Sequence, residues 1–88
     1  MVYGAPWCED TSRVRRLLTQ WGIPFHYIDI NADNYAMAKV ARWNLGALVT
    51  PAVTVGALEN PRMFAPTDEE LHGVLYTAEL VRVGPLLL

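Results

Sequence analysis

The sequence predicts an α/β domain of order β-α-β-α-β-β-α, a four-stranded mixed sheet with helices on both faces. Three observations carry that expectation. Strand-like runs at Met1-Val2-Tyr3 and Phe25-His26-Tyr27-Ile28-Asp29-Ile30 flank a stretch with apolar residues at Val14, Leu17, Leu18 and Trp21. That spacing is the i, i+3, i+4, i+7 stripe of an amphipathic helix, so the three pieces form a βαβ unit with parallel strands and a right-handed crossover. Further on, the link from Gly56 to Pro61 is so short that the strands on either side must pair as an antiparallel hairpin.

In chain order, the first helix runs from Thr11 to Trp21. It stops at Gly22, a C′ glycine, with Pro24 beyond it to prevent continuation. Residues 25–30 alternate and are rich in aromatic and β-branched side chains, which makes them a strand. Asn31-Ala32-Asp33 offers a cap for a second helix over residues 34–44, with Ala36, Val40 and Trp43 as its stripe and Gly46 at its end. Strand three is Ala52-Val53-Thr54-Val55 and strand four Arg62-Met63-Phe64-Ala65. Thr67 with Glu70 fits the S/T-x-x-E capping box and opens a third helix, whose apolar face is Leu71, Val74, Leu75 and Ala78. Helices one and three are expected on one face of the sheet and helix two on the other. The tail from Val83 to Leu88 has no clear period.

The chain has 88 residues, which fits one domain over 1–88 that can bury a core without disulfides. With 52% hydrophobic and 18% charged residues it reads as globular rather than disordered. A net charge of -2 gives no reason to expect nucleic acid or an anionic membrane as partner. The single cysteine cannot form an internal disulfide, so a cytoplasmic location is the expectation. No signal-peptide pattern or spanning apolar run stands in the sequence. Met1 and Val2 lie already inside the first strand, so the natural strand is expected to be a residue or two longer. A monomer is expected.

The chemistry centres on Tyr3-Gly4-Ala5-Pro6-Trp7-Cys8-Glu9-Asp10-Thr11. Cys8 stands where a turn hands over to a helix, among unpaired backbone N–H groups and at the positive end of the helix dipole. Both favour the thiolate, which is the nucleophile. The plain alternative is a buried, inert cysteine. Glu9 and Asp10 set two carboxylates beside the sulfur and oppose ionisation, whereas Arg13, Arg15 or Arg16 would offset them, Arg13 being the nearest at five residues on; the sign of the balance stays open on sequence alone. Thr11 lies one helical turn from Cys8, so its hydroxyl either donates to the sulfur or bonds backbone in the first turn. Trp7 and Tyr3 are placed beside the sulfur, and Trp21 and Trp43 in the core. Arg13, Arg15 and Arg16 read as a solvated helix face. His26 and His72 make no ligand set with one cysteine, so no metal site is expected.

These residues resemble the glutaredoxin family of the thioredoxin-like superfamily, over about Val2 to Leu75. The resemblance rests on Trp7-Cys8-x-x-Thr11 straight after a strand, on a second strand ending in Asp29-Ile30, on Val49-Thr50-Pro51 before strand three, and on Thr67-Asp68 opening the last helix. The Tyr-x-x-x-Trp-Cys cluster and the Asn-Pro before the last strand look closest to the mycoredoxin-like glutaredoxins. The chain also departs from the family pattern. Thr11 stands where many members have a second cysteine, which closes the dithiol route. Gly4 and Ala5 stand in place of a basic residue. Cys8-Glu9-Asp10-Thr11 is not the Cys-Gly-Phe-Ser of cluster carriers, and Ala65-Pro66 replaces the usual Gly-Gly.

The resemblance implies a thioredoxin-like (glutaredoxin) fold and a thiol–disulfide oxidoreductase that reduces mixed disulfides, of proteins or small molecules, with glutathione or mycothiol as co-substrate. Cys8 would be catalytic, with Trp7 and Thr11 activating or positioning it. Pro51 would be cis, and Thr50 would offer its backbone to the thiol co-substrate. The N–H groups at Thr67 would hold the γ-glutamyl carboxylate and Asp68 the ammonium, although both residues are ordinary helix starters. Two other functions compete with this one. The first is a [2Fe–2S] carrier with Cys8 from two protomers and two glutathiones as ligands. The second is a redox-silent binding module that keeps the fold.

Overall fold

The computed structural model describes residues 1–78; the tail from Val83 to Leu88 falls outside the described residues. The elements are β1 (Val2–Gly4), α1 (Glu9–Gln20), β2 (Tyr27–Asp29), α2 (Asn34–Trp43), β3 (Ala52–Thr54), β4 (Arg62–Phe64) and α3 (Asp68–Thr77). Their order is the expected one, and the sheet runs β2-β1-β3-β4. β1 pairs β2 in parallel with Tyr3 opposite Ile28, while β1–β3 and β3–β4 are antiparallel. This is the mixed α/β sheet of a thioredoxin-like fold.

The strands are shorter than the apolar runs that contain them. Only the middle of residues 25–30 pairs along β1: Phe25 packs sideways into the core, and His26 contributes just its carbonyl, to the Val2 N–H at 2.8 Å. α1 begins at Glu9, two residues before the first turn expected from the stripe. The stripe marks only core-facing residues, and the first turn of α1 carries the polar Glu9 and Asp10, which no apolar spacing registers. Ala78, expected on the apolar face of α3, is instead its exposed C-cap.

Two apolar clusters lie on opposite sides of the sheet. Val2, Val53 and Met63 meet Val14 and Leu18 of α1 and Leu71 and Leu75 of α3 on one side. Tyr3, Ala52 and Ile30 meet Ala36 and Val40 of α2 on the other. Alternate residues of one strand therefore feed both clusters, as the period of two demands. Asp33 caps α2 by accepting from the Ala36 N–H at 3.0 Å, and Thr67 and Glu70 form the full capping box at α3. No helix among the described residues is long and apolar enough to cross a membrane.

Candidate active site around Cys8

β1 ends at Gly4 and the chain turns through Ala5, Pro6 and Trp7 to Cys8, the N-cap residue of α1. Its backbone is still extended (φ −85°, ψ 122°). The Cys8 N–H donates to the Ala5 carbonyl at 3.1 Å and the Cys8 carbonyl accepts from Ser12 N–H at 3.1 Å, which fixes the residue between turn and helix. No side chain caps this helix, so the sulfur stands among its first N–H groups. Cys8 is half-buried, whereas Trp7 is 76% exposed.

The loop before β3 closes the site from the other side. The Thr50–Pro51 bond is cis, as expected from the resemblance. The Thr50 hydroxyl donates to Cys8 Sγ at 3.6 Å, and the thiol in turn points at the Thr50 carbonyl at 3.9 Å. Thr11 is fully buried beneath the turn, its Oγ1 accepting from the Ala5 N–H at 3.4 Å. Gly4 makes room for it: a Cβ at Gly4 would lie 2.5 Å from Thr11 Cγ2 and Oγ1. Of the two uses considered for Thr11, the bond to backbone is the one made here, its oxygen accepting from Ala5 N–H.

Burial pushes the Cys8 thiol up. The Thr11 hydroxyl and N–H, the Thr50 hydroxyl and the Asp10 N–H pull the other way and carry it below its ordinary value. Among these, the Thr50 hydroxyl stands in hydrogen-bond geometry to Sγ; Thr11 acts on the sulfur more loosely. None of these causes is the carboxylate of Glu9 or of Asp10. Both residues are exposed, and Asp10 is paired with Arg13 at 3.4 Å. The donors set against burial at the sulfur are thus neutral groups rather than a cation.

Tyr3 does not flank the sulfur. It is buried on the α2 side of the sheet, edge-on to Trp43 at 5.5 Å, and its hydroxyl bonds Glu59. Strand alternation explains this, since Val2 takes the α1 face and its neighbour must take the other. Trp21 and Trp43 pack against the two clusters, as expected. Arg13 and Arg15 are not a solvated face. Arg13 pairs with Asp68 and donates to the Pro66 carbonyl at 2.8 Å, while Arg15 lies 4.0 Å over the Tyr27 ring. Only Arg16 remains exposed.

Arg13 is the residue that sequence reasoning underrated. Its link to Asp10 is readable from the i, i+3 spacing, but the longer one, to Asp68, spans 55 positions and carries no sequence signal. Through it the start of α1 is tied to the start of α3. Ala65 N–H, donating to the Pro51 carbonyl at 2.8 Å, ties the same loop to the cis bond. Cys8, Thr11, Thr50 and Pro51 thus form one cluster, with Thr67 and Asp68 joined to it through Arg13. Thr67 spends its hydroxyl and N–H on Glu70, and Asp68 is already paired. Glutathione-type thiols would still find the Thr50 backbone beside the sulfur, but a ligand ammonium at Asp68 would have to share that carboxylate with Arg13.

A family model described as Glutaredoxin matches residues 1–57, which include Cys8, Thr11, Thr50 and Pro51. No curated protein and no solved structure matches the chain. With 57 of 88 residues matched and the mixed sheet and cis proline in place, the chain belongs to the glutaredoxin family, whose activity is thiol–disulfide oxidoreduction with glutathione-type thiols.

Proposed function

We propose that the protein reduces mixed disulfides of a low-molecular-weight thiol, glutathione or mycothiol, by a monothiol route through Cys8. One observation carries the reading: a half-buried cysteine at the head of α1, with the Thr50 hydroxyl donating to its Sγ at 3.6 Å, is the one sulfhydryl in the sequence. The Cys8 thiolate attacks the co-substrate sulfur of the mixed disulfide. An S–S bond forms at Cys8, the original S–S bond breaks, and the substrate sulfur leaves as a thiolate that takes a proton from solvent. A second thiol molecule then attacks the adduct, forms the symmetric disulfide and releases Cys8. Thr50 and Thr11 stabilise the sulfur's negative charge at both ends of the cycle. Pro51 shapes the loop that presents the Thr50 backbone to the incoming thiol, and Trp7 forms an exposed wall beside the sulfur. Thr67 and Asp68 supply the helix start facing the rest of the co-substrate.

With one cysteine, the adduct cannot be relieved internally. Protein incubated with glutathione disulfide should gain one glutathione per chain by mass spectrometry, and reduced glutathione should clear it at a rate proportional to its concentration. Cys8→Ser should give no adduct. Folded wild-type protein that forms none would favour the redox-silent module. A coloured dimer carrying labile sulfide would favour the cluster carrier.

A further inference from the structure

A groove runs along the outer side of α1, away from the Thr50–Pro51 loop. It begins at Trp7 and Cys8, passes Ser12 and Arg16, and continues past Arg15 and Thr19 to Phe25 at the mouth of β2. Its charges are unevenly matched. Near the sulfur Asp10 pairs with Arg13, which also holds Asp68, and this leaves the carboxylate of Glu9. Further along, Arg15 and Arg16 both line the groove, and neither pairs with a carboxylate among the described residues. Arg15 is already immobilised against Tyr27, so little ordering is left to lose on binding. Beneath it, Arg15 Nε and Tyr27 Oη are buried polar atoms with no partner. Such orphans are unusual in a native fold, although Tyr27 does not itself line the groove.

Building on the monothiol reading, we propose that this groove docks the disulfide-bearing partner, and that the partner is an extended peptide segment with acidic residues set back from its cysteine. The register follows from helix geometry. Arg16 is eight residues beyond Cys8, about 12 Å along the axis at 1.5 Å per residue. An extended chain covers about 3.3 Å per residue, so a carboxylate reaching Arg16 lies about three or four positions from the partner cysteine. A carboxylate directly beside that cysteine instead meets Glu9. A small anion would occupy only one end of such a groove, whereas a peptide fills it and finds the side chains of Ser12 and Thr19 on the way.

The test uses peptides with a central serine and glutamates at the third and fourth positions on either side, glycine filling the gaps. Their controls carry glutamine at those positions, or the glutamates moved next to the serine. Titrated into the isotope-labelled full chain and followed by amide shifts, the set-back peptide should perturb residues 12–20 and bind about fivefold more tightly than its glutamine control at low salt. The adjacent-glutamate peptide should bind no better than glutamine. The preference should vanish in 1 M salt, where screening reaches ~3 Å, and reverse in Arg16→Glu. Equal binding of all three peptides, or a preference that survives Arg16→Glu, overturns the proposal. The cysteine versions, supplied as mixed disulfides with glutathione and with mycothiol, separate docking from chemistry. If Cys8 reacts with none of them while the serine peptides still bind as described, the docking stands and the oxidoreductase reading falls.

Discussion

The two sides of the sheet hold ionisable groups by different means. On the α1 side the Cys8 sulfur has only neutral donors, Thr11, Thr50 and backbone N–H groups. On the α2 side Glu59 accepts from the Tyr3 hydroxyl and pairs with Lys39 at 3.1 Å, and Lys39 and Arg62 lie over the Trp43 ring at 5.1 and 4.4 Å. Burial pushes the Glu59 carboxyl up, but Tyr3 and Lys39 carry it below its ordinary value. Both groups are thus biased toward their anions. The difference is that Glu59 is neutralised and walled in, while the sulfur keeps an open approach and no counter-ion. An anion without a counter-ion can leave its donors for an incoming sulfur at little cost; an anion in an ion pair cannot. The first arrangement suits reaction and the second suits cohesion.

The largest expected effect sharpens this contrast by attacking the apolar support of the reactive side. Leu71 is fully buried where α3 meets α1 and β-strand residues. Leu71→Ala should cost about 2–5 kcal/mol in denaturant unfolding. Val40→Ala, fully buried on the α2 side, removes two methyl groups rather than three carbons and should cost less.

The next effect tests whether the Glu59 cluster is cohesive. Tyr3→Phe removes a hydroxyl that donates to a carboxylate and should cost about 1.5–3 kcal/mol near neutral pH. Because the folded carboxyl of Glu59 lies below its unfolded value, its contribution is complete above the ordinary carboxylate range and is lost as pH falls through the folded pKa. The gap between wild type and Tyr3→Phe should therefore narrow in acid. A gap constant with pH would show that the tyrosine matters by packing alone.

The smallest effect concerns Cys8. Thr50→Val should raise its pKa and slow alkylation near neutral pH, with little change in salt dependence, because the lost donor is uncharged. Neutralising Glu9 and Asp10 together should shift the alkylation profile far less, since both are exposed and screened. A profile that moves more for the carboxylates than for Thr50 would contradict the account of the sulfur given above.

By itself the sequence determined the element order, the sidedness of the helices and the identity of the site loop. Each of these is written in local spacing: the Val14–Leu18 stripe, the Thr67–Glu70 box, the hairpin link, and Thr50-Pro51 ahead of a strand. Tertiary structure alone brought the Thr50 donor to Cys8, because that hydroxyl stands 3.6 Å from the sulfur but 42 positions away in the chain. It likewise took Tyr3 from the sulfur and gave it to Glu59, and it turned Arg13 from a surface cation into the tie between two helix starts. Hydrophobic periodicity fixes which face a residue occupies. Which polar group that residue meets there depends on elements brought together from distant parts of the chain, and no spacing within one element encodes it.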